Sequence, residues 1–436
     1  MGFVMFFMAL LYFYNAWQYN PYWGYDGGAH IDYIFTIAES NRLPTMSENY
    51  LAWHEPVFYL FNGALVKLFS VFLDKAEIIK LLQLASAVWG ILFFVGSGLL
   101  SWLIAKNRWL TIFTLLFVGL LGEVSEASRF ISNEIFFQTL VIWWLVWFWH
   151  WRMFETESWS WRRWIFLIAG LALLLWIKLT AVVLVLSILL WLLLVAARNR
   201  SGKPLVVGGL AIIICGLSFL PWLVYKQRNF NAALTINNFE KINENRMSAE
   251  FYLRWDDGIF SYPFWRAGTK SFWSMLYADS FGDYYNVFQN FDAGLTTDKT
   301  TTINGRQVDI GYMERLLFLY WWSVPLVVIV LFGWLIGLTR RLLKRNFDGV
   351  FVLYVFCVGL LLALAYNVYQ YPFLERGTMK AIFILAFFPL VFLLGMTVWA
   401  DLIKNWRYKK TAALLWSVYF LLWLLVSLSV DLLPSV

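Results

Sequence analysis

Residues 24–59 read GYDGGAHIDYIFTIAESNRLPTMSENYLAWHEPVFY and form the first long polar passage in a chain that is otherwise largely apolar. The passage contains five carboxylates, one arginine and two of the chain's three histidines. Apolar runs of the kind that enter a bilayer flank it on both sides. The contrast predicts a polar loop at one membrane face, held between helices that cross the membrane.

The composition of the whole chain indicates a membrane protein. Of its 436 residues, 61% are hydrophobic and 14% are charged, and the mean hydropathy is +0.65. Soluble domains have an apolar fraction nearer one half. Segments that cross a bilayer must satisfy their own backbone hydrogen bonds, which favours helices and leaves strands to the parts outside. The first apolar run, 4–17, lacks a basic leader and is interpreted as a retained span rather than a signal peptide.

The net charge of +7 reflects topology rather than a nucleic-acid partner. Basic residues gather in every second connection, as cytoplasmic loops do, whereas a nucleic-acid site would need them on one exposed surface. With these loops inside, the sequence predicts an N-terminus inside and eleven spans. The predicted spans are 3–19, 78–104, 109–122, 131–150, 164–177, 181–197, 204–225, 315–338, 350–368, 380–400 and 411–430.

The predicted fold is an all-α polytopic membrane protein in three parts. We expect an N-terminal membrane module at 1–225 with a functional outer loop at 20–77, an outer cap at 226–314, and C-terminal membrane helices at 315–436. Within the outer loop, apolar residues repeat at helical spacing over 31–38 and 60–69. Both stretches are predicted to be amphipathic helices lying along the membrane surface.

Asp26 follows the first span and precedes Gly27 and Gly28 at the predicted start of a surface helix. An aspartate there can cap the helix, because its carboxylate accepts hydrogen bonds from the first free amides. It can also serve as a carboxylate placed where a lipid-borne substrate presents its head group. The sequence leaves both interpretations open.

Several motifs follow in a recognisable order. After Asp26 and the surface helix come an RLP turn at 42–44 and HEPVFY at 54–59. Further along are SRFISNEIF at 128–136, WIKLTAVV at 176–183, LPWLVYKQRNF at 220–230, FWSMLYADSFGDYY at 272–285 and RGTMKAIFILAFFP at 376–389. The ordered set resembles the GT-C superfamily of glycosyltransferases that use polyprenyl-phosphate sugars, in the branch of protein mannosyltransferases and the lipid A aminoarabinose transferase. Two departures are Gly27, where the family has a second acid directly after the first, and the stretch HEPV at 54–57, where the family has a charged pair with two prolines.

The resemblance implies an inverting sugar transfer to an acceptor hydroxyl on the outer face, with Asp26 as general base. By the same correspondence His54 and Glu55 approach the donor phosphate or a divalent metal ion, for which they are the candidate ligands; capping before Pro56 is the competing interpretation. His30 is predicted to share a helix face with Asp26 and orient the base, or else to be a hydrogen-bonded interfacial histidine. No nucleotide cofactor is expected, because the lipid delivers the activated sugar.

Displacement of a sugar from phosphate also needs cations near the leaving group, whose negative charge grows in the transition state. Arg129 and Asn133 begin the fourth span at its outer end, Lys178 interrupts an apolar run, and Arg376 and Lys380 begin the tenth span. All five are candidates for substrate binding. Ion pairing with acidic neighbours, or snorkelling to the interface, is the competing interpretation of the basic residues.

The sequence leaves two other classes of protein as alternatives. A secondary transporter would carry broken helices in two related halves and polar residues at mid-membrane depth. A non-catalytic lipid-binding protein would keep the fold with a degenerate site, and Gly27 leaves that alternative open. The gathering of polar residues at one face argues against the transporter. With the resemblance above, we expect a transferase of the inner membrane with its site on the outer face. Its expected partners are a lipid-linked sugar donor, the bilayer and a glycan, lipid or protein acceptor, with no nucleic acid.

Overall fold

The computed structural model describes residues 2–155, 159–230, 246–264, 271–285, 300–303, 306–371 and 379–432. All eleven segments predicted as spans are helical. They are α1 Gly2–Gln18, α4 Lys75–Ala105, α5 Arg108–Gly119, α7 Asn133–His150, α8 Trp161–Ile177, α9 Ala181–Asn199, α10 Lys203–Phe230, α13 Ile310–Leu343, α14 Gly349–Gln370, α15 Phe387–Ile403 with the 3₁₀ helix Ala381–Ile384 before it, and α16 Lys409–Asp431.

The chain is a multi-pass membrane protein. Among the residues that the structure describes, six helices are long and apolar enough to cross a bilayer on length and composition, namely α4, α9, α10, α13, α14 and α16. The break predicted between the fifth and sixth spans is present, because α8 ends at Ile177, Lys178 has an extended backbone (φ −161°) and α9 begins at Ala181. The number of crossings, eleven, stays a prediction.

The remaining elements lie in the regions predicted to be outside the membrane. They are α2 Gly27–Ser40, α3 Val57–Phe69, α6 Gly122–Ala127, α11 Ala249–Leu253, the 3₁₀ helix Asp257–Phe260, α12 Phe272–Phe281, and the strands β1 Thr300–Ile303 and β2 Arg306–Asp309. The strands pair antiparallel, with Thr300 opposite Asp309. This hairpin departs from an all-α fold, but it falls where strands are allowed, outside the spans. The three predicted parts of the chain keep their boundaries as predictions.

Polar contacts bring several helix ends together at one end of the bundle, which we call the polar end. Lys80 at the start of α4 donates to the carbonyl oxygen of Tyr19, just past α1, at 3.2 Å. Glu134 at the start of α7 pairs with Lys178, just past α8. Arg129, before α7, donates to the carbonyl oxygen of Asp431 at the end of α16. The loop that carries α2 and α3 therefore joins helices at the same end as these polar groups.

Helices α2 and α3 pack closely against each other. A Cβ at Gly63 would lie 2.9 Å from Cγ2 of Ile37, so this contact requires glycine. The predicted apolar face of α2 is covered, since Ile31, Ile34 and Phe35 are all buried. The predicted apolar face of α3 is only partly covered by protein in the described ranges, where Leu65 and Phe69 are half-buried against the core.

The open face of α3 includes Leu60 and Leu68, which are 48% and 60% exposed. Its partly exposed Phe61 instead rests against the aromatic rings of α4 and α7, 6.2 Å from Trp89 and 5.8 Å from Phe136. The predicted position of this helix, along the membrane surface, would cover that face with lipid.

Candidate active site

Asp26 lies at the N-terminal end of α2 but its side chain does not cap the helix. Its backbone is left-handed (φ 57°, ψ 19°), and its carbonyl oxygen accepts the first helical hydrogen bond, from the amide of His30 at 3.0 Å. A capping side chain usually requires an extended backbone at this position. The exposed carboxylate instead accepts a hydrogen bond from the hydroxyl of Tyr50, at 2.6 Å. The helix-capping interpretation of the Asp26 side chain is therefore wrong.

A chain of hydrogen bonds runs beside Asp26. The Tyr59 hydroxyl lies 2.9 Å from Nδ1 of His30 and 3.0 Å from Nδ1 of His54. With the Asn133 amide oriented as in the structure, its nitrogen approaches Nδ1 of His54 at 3.4 Å. Because the Asn133 nitrogen can only donate, Nδ1 of His54 must be a hydrogen-bond acceptor. The Tyr59 hydroxyl then donates its proton to His54, and it accepts the hydrogen bond donated by Nδ1–H of His30. The assignment leaves Nε2 of His30 as the acceptor nitrogen of that ring.

The imidazoles of His30 and His54 are both held in the neutral form. Burial lowers the pKa of His30 to about 4, and the charge of Asp26 opposes that shift only in part. Burial also lowers the pKa of His54 well below its usual value, and His30, Lys178 and Lys226 add to the effect. The two histidines therefore serve as hydrogen-bonding groups rather than as cations that attract phosphate.

Two lysines supply the positive charge of the site. Lys178 pairs with Glu134 and lies 4.9 Å from the centre of the Phe383 ring. Buried Lys380 lies 3.8 Å from the centre of the Tyr25 ring and 5.9 Å from that of Phe383. Because both ammonium groups flank the same ring, they are no more than about 11 Å apart. The carboxylates of Asp26, Asp279 and Glu134 are the strongest electrostatic neighbours of Lys380.

Buried carboxylates lie behind Lys380. They are Glu123, Glu126, Asp279 and Asp283. Asp279 accepts a hydrogen bond from the amide of Ala381, next to Lys380, at 2.6 Å. Burial raises the pKa of Glu123 and of Asp279, and their mutual repulsion raises that of Glu123 further. The positive charge of Lys380 acts in the opposite direction and lowers the pKa of both carboxyl groups. The attraction between Lys380 and these carboxylates therefore holds the lysine at the site.

Glu55 turns away from His54. It forms a buried ion pair with Lys226 of α10, with 3.3 Å between Oε1 and Nζ. Lys226 also lies 5.7 Å from the centre of the Trp53 ring. Within the described ranges, no group of three or more His, Cys, Asp or Glu side chains is arranged to hold a metal ion. The residues present do not fit a metal at His54 and Glu55.

Arg129 also lies in a separate ion pair. Its guanidinium donates to the Ser125 hydroxyl at 2.9 Å and to the carbonyl oxygen of Asp431 at 2.7 Å, and it lies 3.8 Å from the Asp431 carboxylate. Only 1% of Arg129 is exposed. The geometry fits the ion-pair interpretation of Arg129, although the partner is a residue some 300 positions away rather than one of the nearby glutamates.

Six of the predicted residues thus share one site. They are Asp26, His30, His54, Asn133, Lys178 and Lys380. Glu55 and Arg129 pair elsewhere, and Arg376 lies outside the described residues, so its predicted clamp with Lys380 stays a prediction. Sequence reasoning missed Tyr50 and assigned no role to Tyr59, although Tyr59 stands in the HEPVFY motif itself.

Comparison with solved structures shows the fold. The oligosaccharyltransferase of Archaeoglobus fulgidus, tethered to an acceptor peptide with an NVT sequon, is 12% identical with a TM-score of 0.53, covering 98% of this chain and 55% of that one. Its apo form gives a TM-score of 0.54 at 12% identity, covering 99% and 56%. ArnT from Cupriavidus metallidurans, bound to undecaprenyl phosphate, is 16% identical with a TM-score of 0.40, covering 91% and 77%.

This chain spans just over half the length of the archaeal oligosaccharyltransferase. Neither a protein-family model nor a curated protein sequence matches it. At identities this low the likeness concerns architecture alone. The structural likeness nevertheless extends over 98–99% of this chain, and the protein therefore has the same type of fold as that oligosaccharyltransferase, which confirms the GT-C-type fold predicted from the sequence.

Proposed function

We propose that this protein is a membrane glycosyltransferase that moves a sugar from a polyprenyl-phosphate carrier to an acceptor hydroxyl, with inversion at the anomeric carbon. The observation that carries the proposal is the exposed carboxylate of Asp26, which does not cap α2 and is an electrostatic neighbour of Lys380. A base and a cation on one site are the two groups that such a displacement needs.

In the proposed reaction the acceptor oxygen attacks the anomeric carbon while its proton passes to Asp26. The bond between that carbon and the phosphate oxygen breaks, and its electron pair leaves with the phosphate. The sugar-bearing phosphodiester has one negative charge and the departing lipid phosphate approaches two. Stabilising that added charge is the role proposed for Lys178 and Lys380, because fixed positive groups act most strongly where charge develops.

The ion pair between Lys178 and Glu134 suits this role. In the absence of donor, Glu134 neutralises a lysine that would otherwise be costly in an apolar setting. When the donor phosphate arrives, it can share the ammonium group without the lysine having to move far. Asn133 and the neutral histidines would then hold sugar hydroxyls, since neutral imidazoles and amides both accept and donate hydrogen bonds.

The proposed location of the site is the outer face of the inner membrane. The basic loops are at the opposite ends of the helices from Asp26, as in proteins that keep positive loops in the cytoplasm. A carrier whose chain lies in the bilayer could reach the polar end from the side, while a glycan, lipid or protein acceptor approaches from the aqueous face. No step is assigned to a metal ion, because the candidate ligands His54 and Glu55 are paired with other groups.

The test is Asp26→Asn in proteoliposomes supplied with undecaprenyl phosphate carrying glucose, mannose or aminoarabinose. Asparagine tolerates the left-handed backbone and keeps the hydrogen-bond acceptor for Tyr50, so only the basic carboxylate is lost. We expect sugar transfer to fall at least about 100-fold. Asp32→Asn, an exposed carboxylate on the same helix, is the matched control and should keep its rate.

Near wild-type turnover by Asp26→Asn would remove the general base and with it the proposed mechanism. Uptake of the sugar into the vesicles without a covalent product would instead favour a transporter.

A further inference from the structure

Tyr50 donates the hydrogen bond that holds the carboxylate of Asp26. We infer that Tyr50 is a positioning residue for the base, an inference that rests on the proposed function. The bond occupies Oδ1 and leaves Oδ2 to receive the proton of the acceptor. Its length, 2.6 Å, is typical of a hydroxyl bound to a charged oxygen.

The loop that carries Tyr50 is built to place it. Asn49 donates to the carbonyl oxygen of Ala29, on the first turn of α2, at 2.8 Å. The same side chain accepts the amide of Leu51 at 2.8 Å, so the residues on both sides of Tyr50 are fixed to one amide group. Tyr50 is thereby tied to the helix turn that begins beside Asp26.

A second set of bonds closes the loop further out. Arg42 makes two hydrogen bonds to the Glu48 carboxylate, one of them at 2.7 Å to Oε2. That carboxylate also accepts the amide of Thr45 at 2.8 Å. These contacts lie on the surface, where each is worth little alone, but together they limit the loop to one path. The hydroxyl of Tyr50 is therefore held in position for its hydrogen bond to Asp26, and the bond is more than a chance surface contact.

The Tyr50 phenol is suited to act as a permanent hydrogen-bond donor to Asp26. Burial and the adjacent carboxylate both raise the pKa of Tyr50, so the hydroxyl keeps its proton at any physiological pH. A hydrogen bond donated to a carboxylate stabilises its charged form, which is the form that accepts a proton from the acceptor alcohol. Loss of the bond should therefore leave the charged carboxylate less stabilised and free to turn away from the acceptor alcohol.

The experiment compares kcat and the donor KM of Tyr50→Phe and wild type in the sugar-transfer assay. The substitution removes one oxygen from a ring that is 54% exposed, so the fold should be kept, and an unchanged melting temperature checks this. We expect kcat to fall about 3- to 10-fold with the donor KM unchanged, because the bond positions the base and does not hold the donor.

Tyr22→Phe is the matched control, since Tyr22 is 55% exposed in the same loop and its hydroxyl makes no hydrogen bond within the described ranges. A Tyr50→Phe enzyme with the wild-type kcat would overturn the inference. So would a slower enzyme whose donor KM rises or whose melting temperature falls, because that pattern reports packing of the ring. If Asp26→Asn is inactive while Tyr50→Phe behaves as wild type, only this inference fails; an active Asp26→Asn removes the proposed function as well.

Discussion

The buried ion pair between Glu55 and Lys226 predicts strong energetic coupling between the first loop and α10. The two side chains are 5% and 2% exposed, and their charged atoms are 3.3 Å apart. At an effective dielectric constant of about 20, the attraction at that distance is about 5 kcal/mol. Breaking a buried pair by removing one partner costs about 3–5 kcal/mol, because the other charge is left uncompensated. Glu55→Gln and Lys226→Met should each lower the free energy of unfolding by about 3–5 kcal/mol.

The double variant should be less destabilised than the sum of the single variants, by about 3 kcal/mol. The assay is a double-mutant cycle on the free energy of unfolding, measured in mixed micelles with an increasing fraction of a denaturing detergent. The surface pair of Arg254 and Glu250 is the matched control, since both side chains are about two-thirds exposed. Its coupling should not exceed about 0.5 kcal/mol.

The same variants separate the two interpretations of Glu55. If Glu55 only anchors the loop, the double variant should regain sugar transfer along with stability. A double variant that is stable but inactive, and a wild-type enzyme that a chelator inhibits, would indicate that Glu55 binds a metal or the donor instead. Single variants whose effects add to within about 0.5 kcal/mol would refute the ion-pair argument itself.

Two further predictions concern the charges of the site. Folding lowers the pKa of His30 from 6.5 to about 4, so between pH 6.5 and pH 4 the unfolded state binds more protons than the folded state. Stability is then fully present above pH 6.5 and is lost as the pH falls toward 4, by about 2 kcal/mol at pH 5 from His30 alone. Unfolding at a series of pH values should show this loss, and His30→Asn should reduce it; an unchanged slope in that variant contradicts the assignment. Lys380→Met should raise the donor KM at least about 10-fold and leave the acceptor KM within about twofold, since one phosphate contact is lost. Lys75→Met, which removes an exposed lysine from the ring of Phe35, is its control, and an unchanged donor KM would exclude the phosphate role.

The helices could be predicted because their signals are local. Apolar runs of sufficient length and the alternation of basic loops depend only on neighbouring residues. The break at Lys178 was found in the same way, from one charge inside an apolar run. For α3 the helix was predicted, but not which of its faces meets protein. Periodicity shows an apolar face without showing whether protein or lipid covers it.

The candidate site was only partly predictable for the opposite reason. Asp26, His30 and His54 stand in one loop, so their nearness to one another could be predicted from the sequence. The partners of Glu55 and Arg129 lie 171 and 302 residues away along the chain. An acidic and a basic residue that far apart cannot be paired from local spacing. The sequence therefore offered only nearby glutamates as partners of Arg129 and only helix capping as the alternative role of Glu55. Tyr50 was missed because a tyrosine in a polar loop carries no signal of its own until its carboxylate partner is known.

The two ends of α2 show why the backbone at Asp26 points to function. Asn41, at the other end, is also left-handed (φ 54°), and there the conformation ends the helix, with its amide bonded to the carbonyl oxygen of Ile37. Left-handed residues are common at that position and need no further explanation. At the start of a helix the same conformation prevents the side chain from capping the helix. For a residue other than glycine, the left-handed backbone also costs about 1 kcal/mol. The turn at Asp26 instead directs a carboxylate away from the helix amides and toward Tyr50, an arrangement that helps a base more than it helps a helix.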